Sequence, residues 1–405
     1  MSYGFTLADV TFLTSAEGVA ALAEINKLPL TSASYLADVA TARRLTGGQA
    51  PALLETVLLR RKAVSKMDDP ADWLFTDDAL QQATPQAVAR HRAERLTGRD
   101  VHDVTCSIGV DLAATAQAAR TVVGSDLDPV RLAMARHNTG LPVVRADALR
   151  PVTRDTVILA DPGRRDATGR RRWRPADFAP PLDALADVYA GRDMAVKCAP
   201  GIDAADVPWA REIEVVSLAG QVREACLWTG ALATPGVTRR ASVLWRVPGS
   251  PPATIGPDAG RGADYPAGFT ITDADPDDCP VTAPAGWIVD PDGAVVRAGL
   301  VRHYAARHGL AQIDPRIAYL TGDSPPPGIR AFRVVDHGRY SEKTLRQELA
   351  RRGVGKLEIL VRGLDVDPNT LRPRLRLRGP EEATVVLTRI GDTPTALLCN
   401  AVRTN

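Results

Sequence analysis

Four acids recur at matching places. Asp103, Asp126, Asp147 and Asp161 each close a short apolar run: Val101-His-Asp, Val122-Val-Gly-Ser-Asp, Val143-Val-Arg-Ala-Asp and Val157-Ile-Leu-Ala-Asp. A carboxylate at the end of a strand can accept hydrogen bonds from a ligand lying across the sheet edge. Asp126 follows Asp103 at the distance, about 20 residues, at which an acid takes both hydroxyls of a ribose. Asp147, in Ala146-Asp147-Ala148, suits an adenine amino group or is simply a turn residue. Asp161 precedes Pro162, which restricts it to an extended conformation, so a rigid acid is presented to a substrate. Asp128, next to Pro129, reads as a helix cap.

Beyond Asp161, Arg164, Arg165, Arg170, Arg171, Arg172 and Arg174 surround Trp173. Arginine grips phosphate in a bidentate manner, and an aromatic ring among arginines suits stacking on a splayed base. The plain alternative is a solvated loop that balances the acids. Lys197 at the end of a later apolar run joins this substrate set, whereas Cys198 beside it reads as a core residue or, less simply, a covalent nucleophile. The five cysteines are scattered without a Cys-x-x-Cys pair, which points to no disulfide framework, no metal site and a reducing cytoplasm.

Elements must bring the acids to one edge. Apolar runs alternating with helical stretches predict a parallel sheet with crossover helices, whose ligands bind at the carboxyl ends of the strands. The turn from Asp103 to Gly109 feeds the helix that follows, whose first amides are free for a ligand. It carries one glycine where a dinucleotide turn carries three, which argues against a dinucleotide. Residues 1–82 read as helices, with Ser15 capping a run through Val19, Leu22 and Ile25. Thr84-Pro85 opens a further helix with Thr84 as its cap. Residues 83–247 form the sheet domain and 248–286 a Pro/Gly-rich linker in which 269–271 can pair as strand. Residues 287–405 form a second compact unit, with one helix over 293–308, others over 341–352 and 368–375, and strands near 317–321, 331–335, 356–361 and 383–390. The net charge of +2 and 24% charged residues impose no nucleic-acid partner by themselves. No run approaches a membrane span, and the start of the chain does not read as a signal peptide.

Taken together, these motifs resemble those of the class I S-adenosylmethionine-dependent methyltransferases, and their order resembles the RNA-methylating branch. The resemblance implies a seven-stranded Rossmann-like sheet. Asp103, Thr105, Cys106 and Gly109 are then the first cofactor motif, with Ser107 in place of a usual glycine. Asp126 with Leu127 is the second, Asp147 with Ala148 the third, and Asp161-Pro162 the catalytic fourth, in which Gly163 and Arg164 stand where a proline and an aromatic ring are usual. The tail is similar to the THUMP-like domain of bacterial methyltransferases, in Asp314-Pro-Arg-Ile-Ala-Tyr-Leu-Thr-Gly-Asp, Arg351-Arg-Gly-Val-Gly and Leu364-Asp-Val-Asp-Pro. Its Arg346, Arg351, Arg352 and Lys356 are basic enough for RNA or for an ordinary solvated face. The implied activity is methylation of a base nitrogen in RNA, tRNA or rRNA, with S-adenosylmethionine as cofactor, in the cytoplasm and off the membrane. A small phosphorylated or acidic acceptor, or an RNA-binding protein without catalysis, remains open. Sequence gives no oligomeric state.

Overall fold

The computed structural model describes residues 3–163, 174–245 and 268–403. Two compact units emerge, Met1–Thr238 with Ser242–Phe269, and Arg239–Ala241 with Thr270–Asn405. The arginine loop, from Arg164 to Trp173, and residues 248–267 of the expected linker lie outside the described residues.

Each apolar run becomes a strand: β1 (Asp100–Asp103), β2 (Thr121–Asp126), β3 (Val143–Arg145), β4 (Val157–Ala160), β5 (Met194–Cys198), β6 (Glu212–Leu218), β7 (Gln221–Trp228), β8 (Arg239–Leu244) and β9 (Gly268–Thr272). Their order is β3-β2-β1-β4-β5-β7-β6-β8-β9. The sheet therefore has nine strands where seven were expected. β8 and β9 extend its edge, and β9 arises at the end of the Pro/Gly-rich stretch, where Phe-Thr-Ile-Thr restores strand-forming residues. β1 to β5 are parallel, and β7 runs antiparallel to both β5 and β6. The chain winds outward from β1 to β3, then crosses to β4 on the other flank of β1. That reversal opens a crevice at the carboxyl ends of the strands. β4 and β5 are buried throughout, as strands covered on both faces must be.

The chain opens with the helices α1 (Leu7–Leu13), α2 (Ala16–Asn26), α3 (Tyr35–Thr46), α4 (Ala50–Ala63) and α5 (Asp77–Gln82). α1 is too short to show a period, and a reciprocal capping box between Thr6 and Asp9 fixes its start. Ser15 caps α2 as read, accepting from the Gly18 amide at 3.1 Å. These helices share a core with the sheet domain, in which Leu22, Ile25, Leu53 and Leu80 cluster with Ile108, Val110 and Met134. α6 (Gln86–Glu94) leads into β1, and the crossover helices are α7 (Val110–Ala116), α8 (Pro129–Thr139) and α9 (Leu182–Val188). Asp128 caps α8, accepting from Val130 N at 2.8 Å and Arg131 N at 3.2 Å. Thr84 does not cap α6. Pro85 holds the cap position without a side-chain bond, and the Thr84 hydroxyl turns instead toward Asp111 and Lys197.

α6 lies over an unusual face of β6 and β7. Glu212, Glu214 and Glu224 are 0%, 1% and 3% exposed, although strand alternation with isoleucine and valine would put such acids in water. Arg95 pairs with Glu212 at 2.8 Å, His91 with Glu214 at 2.7 Å and Arg92 with Glu224 at 2.6 Å. Trp228 Nε1 and Ser242 Oγ also donate to Glu214. Buried charge is tolerated only when it is paired and hydrogen-bonded in this way. His102 is buried between the Thr153 and Ser125 hydroxyls, a structural role, and burial, with Arg192 nearby, pushes its imidazole down to about 4.

In the second unit, β10 (Trp287–Val289), β11 (Ala311–Gln312), β12 (Leu320–Gly322), β13 (Arg330–Arg339), β14 (Val354–Arg362), β15 (Glu381–Ile390) and β16 (Thr393–Arg403) form a sheet in the order β11-β12-β10-β13-β16-β15-β14. Its helices are α10 (Gly293–Arg297), α11 (Val301–Arg307), α12 (Glu342–Arg351) and α13 (Pro368–Arg374). The single helix expected over 293–308 is two, because Gly299 at φ +71° turns the chain left-handed between them. β16 was not foreseen. It closes a hairpin with β15 through the two-residue turn Gly391-Asp392, with Gly391 at φ +59°. Among the described residues no helix is long and apolar enough to cross a membrane.

Candidate functional site

The four strand-end acids gather where the strand order reverses. A cavity of about 560 Å³ there is lined by Thr105, Cys106, Ser107, Asp126, Leu127, Asp147, Ala148 and Asp161, with Asp78, Ala79, Gln82 and Ala83 of α5 and its exit on another wall. Six of the eight expected cofactor residues thus border one space. Asp103 and Gly109 lie behind it and shape it. Asp103 is 2% exposed and accepts from the Thr105 amide at 3.2 Å. Burial, reinforced by Asp111, Asp161 and Asp126, holds its carboxyl well above the usual carboxylate range. Gly109 starts α7 at φ +93°, and a Cβ there would stand 2.7 Å from the Thr139 side chain. Its glycine therefore serves both the left-handed turn and the close packing of α8. Cys106 turns its thiol into the core beside Leu112, Leu132 and Ala135, so burial raises its thiol far above the usual value.

Asp126 is built into the turn as well as facing the cavity. Its Oδ2 accepts from Ser107 N at 3.0 Å and its Oδ1 from Asp128 N at 2.9 Å, which ties the first turn to the second. Each oxygen keeps a second lone pair for a ligand. Asp147 Oδ1 likewise accepts from Leu149 N at 2.9 Å. Leu127 is 59% exposed, an apolar surface in a wall otherwise rich in acceptors. Ribose hydroxyls, an amino group and a flat base find suitable partners here, so the residues present fit a nucleoside cofactor. Asp126→Ala is expected to weaken binding of S-adenosylmethionine about 10- to 100-fold, the worth of hydrogen bonds to a charged group. Calorimetric titration checks this, and an unchanged Kd would remove the ribose role.

A second cavity, about 290 Å³, adjoins Asp161 and Gly163 and is lined also by Lys66, Gln81, Gln82, Thr84, Pro162, Lys197, Arg223 and Glu224. Gln82, Ala83, Asp161 and Gly163 border both spaces. The wall they share is stiffened from outside. The Lys66 ammonium bonds the carbonyls of Leu80, Gln81 and Ala83 at 2.8, 2.8 and 3.0 Å, which satisfies the free carbonyls at the end of α5. Asn138 of α8 clamps the approach to α5, exchanging two bonds with Leu74 and donating to the Ile108 carbonyl at 2.9 Å.

Asp161 is held from two sides. Its amide donates to Thr105 Oγ1 at 2.6 Å, and its Oδ2 accepts from Lys197 Nζ. Lys197 also donates to Thr84 Oγ1 at 2.5 Å and lies 3.6 Å from Asp111. Asp111 in turn receives Arg92 at 2.6 Å and Thr84 Oγ1 at 3.1 Å. Sequence reading missed Thr84, Asp111 and Glu224, because residues so far apart in the chain carry no spacing signal. Cys198 is 3% exposed and lines neither cavity. In the tail, Lys356 faces Glu382 at 2.6 Å, and Arg351 and Arg352 share Glu348 at 2.5 Å. Among the described residues no cluster of three or more His, Cys, Asp or Glu could hold a metal ion.

Two proteins of Mycobacterium tuberculosis, from strains CDC 1551 and H37Rv, are each 53% identical over 359 residues, which is 85% of this chain and 94% of the relative. Both are named as uncharacterized S-adenosylmethionine-dependent methyltransferases. A crystal structure of a candidate methyltransferase from Porphyromonas gingivalis W83 matches over 100% of both chains with a TM-score of 0.72 at 18% identity, a likeness of fold. Residues 329–401 match a THUMP domain-like family, and residues 6–63 match a domain of unknown function, DUF8688.

Proposed function

Because the chain belongs to the S-adenosylmethionine-dependent methyltransferases, we propose that it methylates a base nitrogen in RNA, tRNA or rRNA, in the cytoplasm. The observation that carries this reading is the position of Asp161. It borders both the cavity that fits a nucleoside and the smaller one beside it, so a donor and an acceptor placed in the two meet at its carboxylate. S-adenosylmethionine, when bound, supplies an electrophilic methyl group. In this reading Asp126 takes the ribose hydroxyls, Asp147 the adenine amino group, and Thr105 fixes the backbone of Asp161. Asp161 accepts the N–H of the acceptor, orients the nitrogen lone pair and receives the departing proton. Orientation supplies most of the rate, and proton acceptance adds to it. A nitrogen acceptor is favoured over a base carbon because Cys198, the candidate covalent nucleophile, is buried away from both cavities. The THUMP domain-like match at 329–401 and the arginines around Trp173 favour RNA over a small acceptor.

The test is transfer of labelled methyl from S-adenosylmethionine to RNA extracted from a strain lacking this gene. Label on that RNA and none on wild-type RNA is expected, and digestion then names the nucleotide. Label confined to the small-molecule fraction of the same extract would overturn the RNA assignment.

A further inference from the structure

Lys197 stands at the end of β5 with 7% of its surface exposed. A lysine there could serve a substrate phosphate, but its ammonium is already engaged by hydrogen bonds to Asp161 Oδ2 and Thr84 Oγ1 and by an ion pair with Asp111 at 3.6 Å. Burial works against its charge, yet Asp161 and Asp111 outweigh that and raise its pKa, so the ammonium persists. The bonds have a direction. Lys197 donates to the Thr84 hydroxyl, which donates to Asp111 Oδ2, while Arg92 fixes Asp111 Oδ1 at 2.6 Å. A string of buried, oriented groups therefore runs from the α6 layer to one oxygen of Asp161. The other oxygen, Oδ1, has no donor among the described residues, and the Asp161 side chain is 34% exposed.

We propose that Lys197, with Thr84 and Asp111 behind it, is the positioning residue of the methyl-transfer site. It anchors Oδ2 of Asp161 so that Oδ1 alone faces the acceptor nitrogen. The inference rests on Asp161 being the acceptor-facing acid. It separates the two oxygens of one carboxylate into an anchored one and a working one. A carboxylate free to rotate would present either oxygen over a range of positions, and a misplacement of about 1 Å costs about 100-fold in rate.

The experiment is a double-mutant cycle with Lys197→Met, Asp161→Asn and the pair, read with whichever acceptor the wild-type enzyme labels, RNA or small molecule. Lys197→Met is expected to lower kcat about 100-fold and leave the acceptor KM and the Kd for S-adenosylmethionine unchanged. In the Asp161→Asn background it should add no further loss, because its route of action is gone. Lys197→Arg should recover part of the rate. Full additivity in the double variant, or a raised KM at unchanged kcat, would overturn the proposal and make Lys197 a substrate contact. Should Lys197→Met fold poorly, Thr84→Val with Asp161→Asn gives the same cycle through a milder change. The stability cycle between positions 161 and 197 needs no acceptor, and additive losses there would also overturn the proposal. A wild-type enzyme that labels only a small acceptor ends the RNA assignment, while the cycle still decides the role of Lys197.

Discussion

Asp161→Ala is expected to lower methyl transfer by about 100- to 10,000-fold, the range that a positioned proton acceptor supplies, while the protein folds and still binds S-adenosylmethionine. Folding should survive because Lys197 keeps Thr84 and Asp111 as partners, so no ammonium is left buried alone. Cofactor binding should survive because Asp126 and Asp147, on β2 and beyond β3, hold their own backbone bonds independently of Asp161. Single-turnover rates with saturating cofactor, beside calorimetric Kd values, check both halves. A variant keeping more than about a tenth of the wild-type rate would move the acceptor away from this acid. A lost Kd with an intact single-turnover rate would instead make Asp161 a cofactor ligand.

The largest stability loss is expected from Arg92→Met. Arg92 is 3% exposed and bridges Asp111 and Glu224 at 2.6 Å each. Burial opposes the ionisation of Asp111, but Arg92 and Lys197 together hold its carboxyl below the usual range. Burial raises Glu224 in spite of the same two cations. Removing one partner of a buried charge cluster costs about 3–5 kcal/mol, since methionine fills the space and pairs with neither acid. The sign of the pH dependence follows. Without Arg92, Glu224 rises further from a position already above its usual range and Asp111 loses the charge that most lowers it, and a carboxyl raised in the folded state loses its stabilising contribution as pH rises. The loss should therefore be greater at pH 8 than at pH 5, read from urea unfolding of the unit that contains the large sheet. A difference under about 1 kcal/mol at both values would show the cluster to be an ordinary surface-like pair.

The acid-bearing edge of the sheet was legible because its signal is local. An apolar run that stops at an acid marks a strand end whatever surrounds it, and four such marks locate four strands along the chain, while their order in the sheet, β3-β2-β1-β4, belongs to the fold. Asp128 before Pro129 and Ser15 before α2 were legible for the same reason, since a cap bonds amides two or three residues away. What failed depends on contacts between distant segments. Thr84 looked like a cap beside Pro85, but its hydroxyl goes to Asp111 and Lys197. Glu212 and Glu214 carry no local mark of their partners, because His91 of α6 and Arg95 just beyond it reach them from a distant segment. The strand count of seven came from the resemblance, and β8 and β9, the latter at the 269–271 run that can pair as strand, extend the sheet beyond it. β16 was missed although Gly391-Asp392 is a hairpin signal, because Pro394 and Asn400 dilute the apolar pattern around it. The break between α10 and α11 had its own marker in Gly299, one that an isolated glycine in a helical pattern does not force.

The short segment from Gln82 to Ala83 borders both cavities, and this bears on how such an enzyme can diverge. If the two spaces hold donor and acceptor, no substitution in that segment is private to either. A change that retunes acceptor choice there must also alter the hold on the cofactor, so most would be filtered out before a new specificity could be tried. Val222 and Arg223 border the smaller cavity and not the larger one. If the smaller cavity takes the acceptor, a change in what is methylated has its open route through those β7 positions, while the shared segment stays tied to the donor.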